Sequence, residues 1–218
     1  MVKILKIKNL EEAMSLALKE SKHLFESKKN LSICMTGGRF GKEFSKFIVK
    51  KKLKIFNKKF FLSDERINCS LSDKNYYLIW APMKQYNKDN IFYFFQNKKN
   101  IINKHTKKNI SNFPHHDLCF LSLGEDGHLA GHFENSINFS TKTCFTDKAP
   151  KKPFRRVSFR VDWLLRSKKI IIIVLGLPKR NALRTLMNGK SQHSKELKNN
   201  ANRVTIITDL KINLSRLS

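Results

Sequence analysis

Asp117-Leu118-Cys119-Phe120-Leu121-Ser122-Leu123 is an apolar run that empties into the polar, glycine-bearing stretch Gly124-Glu125-Asp126-Gly127-His128. A short apolar run bounded by turn residues reads as a buried strand. The same arrangement recurs three times. Leu31-Ser32-Ile33-Cys34-Met35 runs into Thr36-Gly37-Gly38, Lys59-Phe60-Phe61-Leu62 into Ser63-Asp64-Glu65-Arg66, and Ile170 to Leu175 into Gly176-Leu177-Pro178-Lys179. Helical spacing fills the gaps: Leu10, Met14, Ala17, Leu18 and Phe25; then Phe44, Phe47 and Ile48; then Tyr76, Tyr77 and Trp80, closed near Pro82; then Ala182, Leu183 and Leu186.

Outward from these units, Val2 to Ile7, Ile91 to Phe95, Arg156 to Arg160 and Val204 to Ile207 read as further strands, and a short helix surrounds Trp163. Gln96 to Asn112, rich in Lys and Asn, reads as a surface helix or loop, and the stretch after His128 as irregular. Strands alternating with helices predict an α/β fold: a single Rossmann-like domain spanning 1–218, with a mostly parallel sheet and helices on both faces. Such sheets bind ligands beyond the carboxyl ends of their strands, so the four turns are expected to meet on one rim.

The composition narrows the class. Of 218 residues, 44 are Lys or Arg and 17 Asp or Glu, a net charge of +27. An apolar fraction of 40% supplies a core and excludes a disordered tail protein. The longest apolar run is too short for a membrane span, and the first residues lack a signal-peptide pattern, so a soluble, cytoplasmic protein without membrane contact is expected. The four cysteines (Cys34, Cys69, Cys119, Cys144) have no paired spacing and are expected as reduced thiols. The lysines are scattered rather than gathered into an arm, which fits compositional drift better than a specific nucleic-acid surface; the field still attracts phosphorylated small molecules.

Each turn carries its own chemistry beside a plainer alternative. Gly37-Gly38 either brings backbone N–H groups to an oxyanion or simply makes a tight strand-to-helix turn. Asp64-Glu65-Arg66 is either a solvated charged turn or two carboxylates beside a working guanidinium. Gly124 to His128 is the sharpest signal: glycines permit the bend, an acid orients the imidazole, and histidine moves protons near neutral pH. Lys179 and Arg156 are surface cations or phosphate ligands. His128 and His132 are four apart, yet the sequence between lacks the glutamate of H-E-x-x-H, so no metal is expected. No G-x-S-x-G, Walker A or G-x-G-x-x-G is present, and no cofactor is expected.

Read together, the motifs resemble the 6-phosphogluconolactonase family within the glucosamine-6-phosphate isomerase/deaminase superfamily. Leu123 to His128 is similar to its G-x-G-x-D-G-H segment, with Ser122 at the first glycine. Asp64-Glu65-Arg66 followed by Asp73-Lys74-Asn75-Tyr76 is similar to D-E-R…D-S-N-Y, Arg156-Val157-Ser158 to R-[IV]-T, and Gly176 to Lys179 to G-x-x-K. Deaminases of the superfamily carry D-E-Y at the first site and a glutamate five residues after the motif histidine. Here those places hold Arg66 and Phe133. The family's S-G-G-S-T-P loop reads Thr36-Gly37-Gly38-Arg39-Phe40-Gly41, where Arg39 is the candidate replacement for the lost hydroxyls.

The resemblance implies metal-independent hydrolysis of 6-phospho-D-glucono-1,5-lactone by a monomer or homodimer. It implies His128 as the base, Asp126 as its partner, and Arg66 with Asp64 at the reacting end. Gly37, Gly38, Arg39, Gly124, Gly127, Arg156 and Lys179 are implied around the substrate and its phosphate. The alternatives are a deaminase-like enzyme, a sugar-phosphate-binding protein without turnover, and a nucleic-acid module using the charge.

Overall fold

The computed structural model describes residues 1–27, 30–84, 91–92, 94–96, 101–103, 115–138 and 140–211. Its centre is a seven-stranded, all-parallel sheet. In chain order the strands are β1 (Lys3–Lys6), β2 (Ser32–Met35), β3 (Lys59–Leu62), β5 (Ile91–Phe92), β8 (Leu118–Ser122), β12 (Lys169–Val174) and β13 (Val204–Thr208). They lie side by side as β1-β13-β12-β8-β2-β3-β5. From β2 the chain builds one way, through β3 to β5; from β8 it builds the other, through β12 and β13. The order therefore reverses between β2 and β8, and a crevice opens beyond the carboxyl ends of such a pair.

Successive side chains of these strands enter opposite cores. Ile33, Met35, Phe60, Phe120 and Ile171 pack with α1 (Leu10–Ser27), α2 (Gly38–Lys50) and Ile79 of α3 (Asn75–Trp80). Cys34, Phe61, Cys119, Leu121, Ile170 and Ile172 pack with α4 (Val161–Leu164), α5 (Arg180–Met187) and Leu197 of α6 (Ser194–Asn199). Burial on both faces explains why the central strands read as unbroken apolar runs.

Four sequence expectations are corrected. Asp64-Glu65-Arg66 is a strand, β4, not a turn. It belongs to a second, antiparallel sheet ordered β4-β11-β10-β9, with β9 at Ile137–Asn138, β10 at Thr143–Thr146 and β11 at Arg156–Phe159. Ser63 is where the chain changes sheets: its N–H donates to the Met35 carbonyl at 2.9 Å, and its own carbonyl accepts from Phe159 N–H at 2.9 Å. Charged residues have low strand propensity, and here backbone pairing with β11 overrides it. The stretch after His128, read as irregular, supplies β9 and β10. The run Ile91 to Phe95 is divided between β5, which pairs with β3, and β6 (Phe94–Gln96), which pairs antiparallel with β7 (Ile101–Asn103). The latter was expected in a helix or loop; the remainder of Gln96 to Asn112 lies outside the described residues.

Candidate active site

Beyond β2 and β8 lies a cleft of about 460 Å³ whose wall includes Thr36, Gly37, Gly38, Asp64, Arg66, Gly124, Asp126, His128, Arg156 and Lys179. Three turns and the strand β4 contribute to it, all beyond the carboxyl ends of the central strands.

The turn after β8 is closed by Gly124 N–H donating to the His128 carbonyl at 2.8 Å. A Cβ on Gly124 would stand 2.1 Å from His128 Nδ1 and 2.6 Å from Asp126 Oδ1, so only glycine permits the imidazole to fold back there. His128 Nδ1 is hydrogen-bonded to Asp126 Oδ1. That bond, more than anything else, holds the Asp126 carboxyl below its ordinary range. An ionised carboxylate only accepts, so Nδ1 donates, and the tautomer of the neutral ring that this selects has its lone pair on Nε2. Phe133 packs on the imidazole, ring centroids 4.4 Å apart, with no carboxylate in that place. Gly127, in the left-handed region at φ +88°, makes the bend and lines a neighbouring cavity rather than the cleft.

β4 and the segment Asp73 to Tyr76 interlock residue by residue. Asp64 accepts from Asn75 Nδ2 at its carbonyl (3.1 Å) and its carboxylate (3.2 Å). Glu65 accepts backbone N–H bonds from Arg66, Asn75 and Tyr76, each at 2.7 Å. Arg66 Nη1 donates to the Asp73 carbonyl at 2.9 Å. Burial pushes the Glu65 carboxyl up to about 7, against the pull of those three donors. Gly37 must lack a side chain because a Cβ would lie 2.2 Å from Asn75 Oδ1.

Arg66 stands directly across from Arg156 in the β4–β11 pairing. Like charges opposed across strands are unfavourable without an anion between or beside them. Arg156 is buried, has no carboxylate within ion-pair distance among the described residues, and leaves Nη1 without a hydrogen-bond partner. Burial, more than any neighbouring charge, lowers its affinity for its proton. Lys179 is half-buried at the end of the turn after β12, and burial lowers its pKa too. Gly176, which opens that turn at φ +95°, is held by its N–H donating to the Asp209 carboxylate at 3.0 Å. Lys151 and Lys152 add cations at the mouth, Lys151 paired with Glu125 at 3.1 Å.

Besides Gly127, two sequence candidates are not brought to the cleft. Arg39 is exposed on the first turn of α2 and does not line it, because the helix turns that position outward. His132 is half-buried and occupied elsewhere. Its Nδ1 accepts from Val161 N–H at 3.1 Å, and its carbonyl accepts from His193 Nε2 at 3.2 Å, so it anchors the loop and makes no pair with His128. Sequence reasoning missed Lys151 and Lys152, whose loop carried no motif. It also passed over Asn75 and Glu65 as working residues, although both lie inside quoted motifs. Among the described residues, no three His, Cys, Asp or Glu side chains are grouped as metal ligands.

An α/β sheet with its cleft at the switch point, a carboxylate-held histidine and two cations without a salt bridge among the described residues defines a protein whose cleft suits a small anion. The family model for glucosamine-6-phosphate isomerases/6-phosphogluconolactonase matches residues 7–206, and the chain belongs to that family. It is 27% identical over 182 residues to a 6-phosphogluconolactonase of Borreliella burgdorferi, covering 75% of each chain. A glucosamine-6-phosphate deaminase of Malacoplasma penetrans is 29% identical over 123 residues, 48% of this chain and 50% of that one. The crystal structure of 6-phosphogluconolactonase from Leishmania guyanensis superposes with a TM-score of 0.76 at 15% identity, covering 95% of this chain and 96% of that one, a likeness of fold. No helix among the described residues is long and apolar enough to cross a membrane.

Proposed function

We propose that this chain hydrolyses 6-phospho-D-glucono-1,5-lactone to 6-phosphogluconate. What carries the reading is one arrangement: an Asp126-held imidazole sharing a cleft with Arg156 and Lys179, neither of which makes a salt bridge among the described residues. Membership of the family and the lactonase relative support it.

In this reading Nε2 of His128 takes a proton from water while the water oxygen bonds to the lactone carbonyl carbon. The carbonyl electrons move onto its oxygen, where the Arg66 charge opposes the developing anion. Collapse restores the carbonyl and breaks the bond to the ring oxygen, which receives the proton back from Nε2. The product acid then loses its proton to solvent. A lactone is electrophilic enough for this without a covalent nucleophile. Asp126 fixes the tautomer, and Asp64 holds Asn75 and the strand that carries Arg66. Arg156 and Lys179, with Gly37 and Gly38 at the start of α2, hold the phosphate; Gly124 and Gly127 shape the loop. A monomer or homodimer is the assembly this reading expects, and the free cysteines suit the cytoplasm.

Deamination of an amino sugar phosphate is the second reading, favoured by the partial match to a deaminase. Phe133 against the imidazole weighs against it, because no carboxylate stands there. The test is lactone opening by purified protein, measured on freshly generated lactone above the spontaneous rate and beside a glucosamine-6-phosphate deamination assay. Opening no faster than the spontaneous rate defeats the lactonase reading.

A further inference from the structure

We infer that Glu65 is a positioning residue: its carboxylate clamps the first turn of α3 to β4 and thereby holds Asn75 and Arg66 at the cleft. Glu65 is fully buried and does not line the cleft, so it touches no substrate. Its two oxygens take three backbone N–H groups at 2.7 Å, Oε1 from Arg66 and Asn75 and Oε2 from Tyr76. One donor belongs to the strand carrying the guanidinium, the other two to the helix start carrying the cleft-lining amide. Asn75 then returns two bonds to Asp64, and Arg66 one to the Asp73 carbonyl, so the clamp closes on both sides.

Three donors need acceptor oxygens on both sides of the carboxyl group. A carboxamide offers one oxygen and turns an NH₂ toward a donor, so at least one N–H is left without a partner. Arg156, which faces Arg66 from β11, and Lys179, on the turn after β12, make no hydrogen bond to Glu65 among the described residues. Loosening the clamp therefore acts first on Asn75 and the Arg66 side chain, while Arg156 stays on the β4–β11 backbone ladder and Lys179 on its separate turn. Small displacements of positioned groups cost on the order of 10²-fold in turnover.

The kinetic consequence rests on the lactonase reading; the clamp itself does not, so the experiment has two arms. In the first, amide hydrogen exchange in Glu65→Gln is expected to quicken at least tenfold at Asn75 and Tyr76, with little change in the central strands. In the second, kcat for lactone opening is expected to fall about 10–100-fold, while the affinity for 6-phosphogluconate, measured by calorimetry, moves less than threefold. A residue that merely stabilised the fold would move both quantities together and raise exchange throughout. Unchanged exchange at Asn75 and Tyr76 overturns the clamp, and faster exchange with wild-type kcat overturns its role in positioning. If the wild-type protein does not open the lactone, the functional reading fails and the exchange arm alone judges the clamp. Should Glu65→Gln not fold, Glu65→Asp, which keeps the charge and shortens the arm by one methylene, is read by the same measurements.

Discussion

The two ends of β8 carry histidines in opposite circumstances. Before the strand, His116 is buried among Phe61, Phe159 and Trp163, with Nδ1 3.0 Å from Ser32 Oγ. Burial drives its pKa down to about 3. After the strand, His128 is partly exposed, bonded to a carboxylate, and open to a cleft that Arg156 and Lys179 also line. Each histidine has an aspartate within two residues, Asp117 or Asp126. Asp117, however, is taken up by Ser32 N–H at 3.0 Å and Lys168 at 3.0 Å, while Asp126 is bonded to the ring itself. The difference teaches that a histidine and a nearby acid face an open cleft at the end of the strand where the sheet opens, and form part of a packed core at the other.

The largest effect is expected from His128→Ala, which should lower kcat for lactone opening about 10²–10⁴-fold and leave the melting temperature nearly unchanged. Equal losses of activity and stability would erase the contrast between the two ends. Gly124→Ala comes next. Its new Cβ falls on the imidazole and on Asp126, so kcat should drop on the order of 10²-fold, checked by kinetics together with a crystal structure of the displaced ring. Lys179→Ala should act on the phosphate end and raise KM about tenfold with little change in kcat.

His116→Phe probes the buried end through stability. A histidine whose folded pKa is depressed contributes stability that is whole above about pH 6.5 and lost as pH falls toward about 3. Removing the group should flatten the melting temperature between pH 6.5 and 4 while activity at pH 8 stays within about twofold. A variant that still melts more easily in acid with the wild-type slope would locate that titration elsewhere, with His193, also buried and lowered to about 4, as the next group to replace. The smallest effect is Arg39→Ala, an exposed position outside the cleft, where KM should change less than about twofold.

Much of this was legible in the sequence. The apolar runs of β2, β3, β8 and β12 could be read because both faces of each strand are buried, leaving no alternation to confuse with a surface element. The turns that follow them could be placed on one rim because parallel strands all end there. His128 and Asp126 were legible because the glycines around them declare a bend. β4 was not, since three charged residues carry no strand signal until Arg156, Val157 and Ser158 arrive alongside. Nor was the outward placement of Arg39, which depends on the direction in which one helical turn points.

Composition and pattern by themselves determined the α/β class, the strand–turn units and the candidate base, because burial and backbone freedom are written locally in residue type. Tertiary structure alone decided that the chain changes sheets at Ser63, that Arg66 faces Arg156, and that Glu65 holds β4 to α3. Those facts join residues about 10 to 95 positions apart, and no local pattern records which distant backbone will supply the partner.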